Sequence, residues 1–154
     1  LLELCLDYDD QYSLLVAKPT LAPTEPTLPI EADLARLQVE VKAFPDRVAK
    51  VQNHWRSTIE AAHRQGKRIV LWGGGSKAVS FLTTLGITDQ VGCVVDINPF
   101  KHGKFIPGAG HPVVGPESLQ EYRPDLVILM NPIYTNEIRT QLNQMGLAPQ
   151  ILPV

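Results

Sequence analysis

The sequence predicts an α/β protein: a Rossmann-like, doubly wound parallel sheet preceded by a long helix or helix pair. Three observations lead there. Short, almost wholly apolar runs at 68–72 (RIVLW), 91–96 (VGCVVD) and 126–130 (LVILM) alternate with stretches of helical period, the pattern of parallel strands covered on both faces. A glycine loop, Gly73-Gly74-Gly75-Ser76-Lys77, stands where the first run gives way to a helix. Ahead of it, from Glu31 to about Gln65, apolar residues recur at three- and four-residue steps.

Residues 1–17 are apolar with acidic interruptions and read as a strand or two. The chain has no initial Met and opens inside this run, so it is expected to be a piece of a longer protein, with 1–17 the tail of a preceding domain. Residues 18–30 hold Pro19, Pro23, Pro26 and Pro29. Proline neither donates ladder hydrogen bonds nor continues a helix, which makes this an extended linker; a recognition site for another protein is the alternative. Residues 31–154 then form one C-terminal Rossmann-like domain with an N-terminal helical segment. In that segment Val41, Phe44, Val48, Val51, Trp55, Ile59 and Ala62 share one face, and Phe44 and Trp55 read as packing residues. Pro45 either kinks one helix or opens a second at its first turn.

After the first strand, 77–85 reads as a short helix stopped by Gly86, and 91–96 as the second strand. Residues 98–115 are a long irregular segment rich in Gly and Pro. A short helix at 116–122, a strand at 126–130, a helix at 135–145 closed by Gly146 and a last strand at 150–154 complete the order. Right-handed crossovers bring the loops after Trp72 and Met130 to the same carboxyl edge of the sheet.

Composition excludes several classes. A net charge of −2 over 154 residues leaves no basic footprint for nucleic acid. No apolar run is long enough to span a bilayer, and the opening leucines lack a basic flank and soon meet Asp7, Asp9 and Asp10, unlike a signal peptide. A cytoplasmic location is the default. Cys5 and Cys93 lie far apart, and Cys93 reads as a small buried hydrophobe. His102 and His111 lack the spacing and third ligand of a zinc site. No metal is expected.

Gly73-Gly74-Gly75-Ser76-Lys77-Ala78 fits G-x-G-x-x-A between a strand and a helix, and Asp96 ends the next strand about 20 residues on, the context of a dinucleotide fingerprint. Gly73 allows a tight turn, Gly75 lets a ligand approach the backbone, and Ala78 lets helix and strand pack closely. The helix N-terminus favours an anion, and Lys77 adds charge. The competing explanation is a turn that needs small residues only to pack. Asp96 either takes ribose hydroxyls, as in NAD enzymes, or shapes the following turn with Asn98 and Pro99. The 101–112 loop has two Lys, two His and no acid; it suits a phosphate or carboxylate, or is a solvated surface loop. Asn131 and Tyr134 should face the glycine loop across the switch point and could bind a sugar or base, or merely form a helix-entry turn. No Ser/His/Asp order, paired carboxylates or thiolate signature is present. His54 and His63 read as surface or packing residues.

The runs VLWGGGSKAVSFLTTLGI, VVDINPFKHGKFIPGAGHPV and PDLVILMNPIYTNEI, in that order, resemble the C-terminal domain of the SAM-dependent C-methyltransferase family. The resemblance covers roughly Leu37 to Leu142. It implies a parent enzyme with an N-terminal zinc-binding region, a central SAM-binding methyltransferase domain and this Rossmann-like domain, which helps hold a nucleotide-linked sugar. The family's catalytic base is a histidine of the central domain, so none of the four histidines here inherits that role. SAM would bind outside this chain, no cofactor is expected within it, and alone it is expected to transfer no methyl group. By resemblance Gly73, Gly75, Ser76, Lys77, Asn98, Asn131 and Tyr134 would line the sugar-nucleotide side of the cleft. The family loop commonly has a small residue such as Ala where Gly74 stands and Gly where Ala78 stands. The partners implied are the nucleotide-linked sugar and the central domain. Two other readings stay open: an NAD(P)-binding domain of an oxidoreductase, carried by G-x-G-x-x-A with Asp96, and a scaffold domain whose loop binds nothing.

Overall fold

The computed structural model describes residues 1–21 and 33–154. Most of the expected linker at 18–30, and the expected helix start at Glu31, lie outside the described residues. Two compact units are present, Leu1–Ala49 and Lys50–Val154.

In the first unit, β1 (Glu3–Asp7) and β2 (Tyr12–Val16) form an antiparallel hairpin with Glu3 opposite Val16 and Asp7 opposite Tyr12. Its turn puts Tyr8, Asp9 and Asp10 at positive φ. Aspartate tolerates that region better than most residues, and the Asp7 carboxylate accepts the Tyr8 N–H at 2.8 Å. α1 (Leu34–Arg64) begins in this unit and runs on into the second. It passes through Pro45 as one element, which decides between the two readings of that proline. Its long apolar face is not one core face. Trp55, Ile59 and Ala62 are buried, whereas Val41, Phe44 and Val51 are exposed. Phe44, expected to pack, is 60% exposed. Helical period shows which residues share a face, not how far along the helix a core extends.

The second unit is built on a five-stranded parallel sheet in the order β5-β4-β3-β6-β7: Val113–Val114, Cys93–Val95, Ile69–Trp72, Leu126–Leu129 and Gln150–Pro153. The three central strands are buried throughout, which is why they read as continuous apolar runs. Alternate side chains serve opposite faces. Ile69, Leu71, Val94 and Ile128 pack with Trp55 and Ile59 of α1 and with Ala78 and Leu82 of α2 (Ser76–Leu85). Val70, Trp72, Val95 and Leu129 pack with Leu119 of α3 (Leu119–Tyr122) and with Ile138 and Leu142 of α4 (Thr135–Gln144). The sheet is thus doubly wound, as expected. Trp55 also meets Phe81 edge to face, with ring centroids 5.4 Å apart.

The expected elements recur with small shifts at their ends, and α2 stops at Gly86 in the left-handed conformation. The segment at 98–115 is more ordered than expected. It contains β5, a Phe105–Pro112 bridge and a loop closed by Ile106 N–H donating to the His111 carbonyl at 2.8 Å. A strand of two residues flanked by Gly and Pro leaves too little pattern to read. In register, Trp72 pairs with both Val95 and Leu129, so β3, β4 and β6 end level and their following loops meet at one edge.

Candidate functional site

β3 is first in the sheet and central to it. The chain builds outward to β4 and β5, then crosses back to β6 and β7. The reversal lies between β3 and β6, where open α/β sheets hold ligands outside their carboxyl ends. A cleft of about 240 Å³ lies there, lined among others by Trp72, Gly73, Asp96, Asn131, Tyr134 and Glu137. A shallower hollow of about 210 Å³ is lined by Gly73, Gly74, Gly75, Ser76, Lys77, Asp96, Met130 and Asn131.

The three glycines answer to different constraints. Gly73 sits at φ +110, where a side chain is strained, with Met130 Cβ 3.2 Å from the place its own Cβ would occupy. Gly74 lies against Asp96, whose Oδ2 would be 3.1 Å from an added Cβ. Gly75 has φ −98 and open space around it, so nothing within the fold demands a glycine there. It caps α2 without a side-chain hydrogen bond. The N–H groups of Gly75, Ser76 and Lys77 take no partner among the described residues. These donors stand at the positive end of the helix dipole, with the Ser76 and Lys77 side chains exposed beside them.

Asp96 holds this loop in place. Its Oδ2 accepts the Gly74 N–H at 2.9 Å and Lys101 Nζ at 2.7 Å, and its Oδ1 accepts the Asn98 N–H at 2.9 Å. Lys101 Nζ also donates to the Gly74 carbonyl at 3.2 Å, and His102 Nε2 lies 2.7 Å from the Asp96 carbonyl. Asp96 is only 7% exposed. Burial pushes its carboxyl up, but the Lys101 ammonium and the Asn98 and Gly74 N–H groups outweigh this and hold it below its ordinary value. Of its two possible roles, the carboxylate is engaged in shaping the turn.

Six of the seven expected site residues line these two depressions. Gly73 and Asn131 border both, Gly75, Ser76 and Lys77 the hollow, and Tyr134 the cleft. Asn98 lines neither. Its side chain accepts the Phe100 N–H at 3.0 Å and caps the 3-10 turn Pro99–Lys101. The 101–112 loop splits: Lys101 and His102 turn onto Asp96, Lys104 is exposed, and His111 is buried with neither ring nitrogen hydrogen-bonded among the described residues. Several lining residues of the cleft were not anticipated, three of them outside the apolar core. Glu137 and Gln141 stand one turn apart on α4, and Ile97 follows Asp96. The four-residue spacing on the helix after the switch-point strand was the available signal. Cys93 is buried as expected, and loss of solvent pushes its thiol up to about 11. No three metal-ligating side chains cluster among the described residues, and no described helix is long and apolar enough to cross a membrane.

Two solved structures of RSP, a Rex-family repressor, one of them in complex with beta-NADH, are similar to this chain at 16% identity and a TM-score of 0.41. The matches cover 57% and 60% of this chain. They span 52% and 57% of the repressor chains, little more than half their length. No curated protein matches the sequence. The C-methyltransferase C-terminal domain matches residues 29–149, an interval that takes in α1, the whole glycine loop and the strands on either side of the switch point. The chain belongs to the C-methyltransferase C-terminal domain family.

Proposed function

We propose that this domain holds the diphosphate and sugar of a nucleotide-linked sugar for a SAM-dependent C-methyltransferase, whose central domain supplies the methyl donor and the catalytic base. The observation that carries the reading is Gly75. The fold accounts for Gly73 and Gly74 but not for the third glycine, whose bare backbone leaves room for a group arriving from outside. That group would meet the open N–H donors of Gly75, Ser76 and Lys77, the α2 dipole and the Lys77 ammonium, a combination that suits phosphate oxygens. Asp96 would repel an anion here, but Lys101 lies against its carboxylate and offsets the charge. Asn131 and Tyr134, at the far side of the switch point, would take sugar or base hydroxyls and amides. In the parent, removal of a proton beside a ketone would let the enolate carbon attack the methyl donor. This domain's part is to fix the sugar in the reactive orientation.

An NAD(P) site would call on Asp96 for the ribose hydroxyls, and that carboxylate already receives Gly74, Asn98 and Lys101. The test is an NMR titration of the chain with a thymidine diphosphate sugar and, separately, with NADH. The sugar nucleotide should shift the Gly73–Lys77 amides, and Lys77→Ala should weaken it by about tenfold, the worth of one charge-assisted hydrogen bond. Tight NADH binding with no response to the sugar nucleotide overturns the proposal in favour of a dinucleotide site.

A further inference from the structure

Glu137 and Gln141 line the switch-point cleft but not the hollow at the glycine loop. They stand one turn apart on α4, about 6 Å along its axis, near enough for both to reach one flat ring. Glu137 is exposed and Gln141 half-buried. Neither side chain has a hydrogen bond or ion pair among the described residues. Trp72, Ile97, Leu129 and Ile138 give the same cleft an apolar lining. An ionised carboxylate only accepts hydrogen bonds, whereas an amide both donates and accepts. An apolar slot with two such groups on one helix face suits a flat heterocycle with a polar edge.

We infer that the cleft takes the nucleobase, and that Glu137 and Gln141 select bases carrying a ring N–H beside a carbonyl: thymine, uracil and guanine over adenine and cytosine. The inference rests on the function proposed above. The hollow and the cleft share Gly73, Asp96 and Asn131, so with the diphosphate at the glycine loop one of its two flanking groups enters the cleft. The sugar must present its reacting carbon to the domain that carries the methyl donor. That leaves the nucleoside for a cleft built wholly within this one. The edge of the base then sets the preference. Glu137 accepts the ring N–H, Gln141 donates to the neighbouring carbonyl oxygen, and the ionised partner makes the first bond the stronger. Adenine and cytosine have no ring N–H. They offer an amino group and set a ring-nitrogen lone pair beside it, toward the carboxylate. Glu137 also lies in the first turn of α4, where a carboxylate complements the helix dipole, but that role is blind to the base.

Titration of the chain with thymidine, uridine, guanosine, adenosine and cytidine diphosphates, followed by amide shifts, tests this. The first three should bind about tenfold more tightly than the last two, and they should shift the Glu137 and Gln141 amides together with Gly73–Lys77. Glu137→Gln puts an amide that can turn either way in place of the acceptor. It should bring the five affinities within about threefold of one another while the glycine loop still responds. Equal affinities for all five in the unaltered chain, with the glycine loop responding, overturn the inference and leave the phosphate site standing. A Glu137→Gln chain that loses the same factor for every base overturns it too, and assigns the carboxylate to ribose hydroxyls. No response of the glycine loop to any of the five removes the proposed function itself, and this inference with it.

Discussion

Lys101 Nζ lies 2.7 Å from Asp96 Oδ2 and 3.2 Å from the Gly74 carbonyl oxygen, so one ammonium ties the end of β4 to the glycine loop that follows β3. Asp96 completes the tie through the Gly74 N–H. The open N–H groups of Gly75, Ser76 and Lys77 therefore follow a loop that a buried carboxylate holds in place.

Replacing Asp96 with Ala should destabilise the domain by roughly 2 kcal/mol, because it removes hydrogen bonds to a charged group and leaves the Gly74 N–H unmet. Urea unfolding should show a lower midpoint at an unchanged slope. Lys101→Met should cost about 1 kcal/mol or less, since Lys101 is 40% exposed and water screens the pair. An equal or larger loss for Lys101→Met would contradict this ordering.

The same pair sets a pH dependence. Asp96 is held below its ordinary value of 3.8 in the folded chain. The stability it contributes is therefore fully present above that value and is lost as pH falls through the lower folded one. Asp96→Asn should flatten this acid limb of the stability curve. Lys101→Met should move it to higher pH, because burial then acts on the carboxyl with less opposition. Carbon chemical shifts of the Asp96 carboxyl across an acid titration would measure both effects.

Gly73→Ala and Gly75→Ala separate folding from binding. At Gly73 the positive φ and the nearby Met130 side chain should cost about 1–3 kcal/mol. At Gly75 the change should alter stability by less than about 0.5 kcal/mol yet weaken the sugar nucleotide, because a methyl group would stand where the ligand approaches. A Gly75→Ala chain that binds as tightly as the original would remove the observation on which the proposed function rests.

Cys93 should be silent toward thiol reagents near pH 8, since desolvation pushes its pKa up to about 11 and the thiolate is the reactive form. One thiol, Cys5, should react in the native chain and both after unfolding in urea. Rapid native labelling of Cys93 would show that the Val70–Trp72–Leu119 side of the core opens readily.

The fold was legible because the central strands are short, apolar and punctuated by glycine, so type and order could be read from 68–72, 91–96 and 126–130. The switch point followed from order and handedness, which placed Gly73 and Asn131 together. Less visible were features that depend on length or on distant pairing. β5 has two residues. Phe44 lies on the same helical face as Trp55 yet is 60% exposed. Lys101 read as one charge of a basic loop, and only folding brings it against Asp96. Gly73, Gly74 and Gly75 read alike, and three-dimensional packing is what sets the third apart.

The sheet order has a consequence for how a chain of this kind can be cut. β3 pairs with β4 soon after it in sequence, but its other edge waits for β6, on the far side of the 98–115 loop and α3. A product ending before Leu126 would hold a complete glycine loop on a strand with one bare edge, open to pairing with other chains. It would also lack the Asn131 wall. Proteolysis in the α3–β6 connection is thus expected to remove the proposed binding wall and bare an edge of β3, whereas trimming after α4 would keep Asn131 and bare the edge of β6 instead.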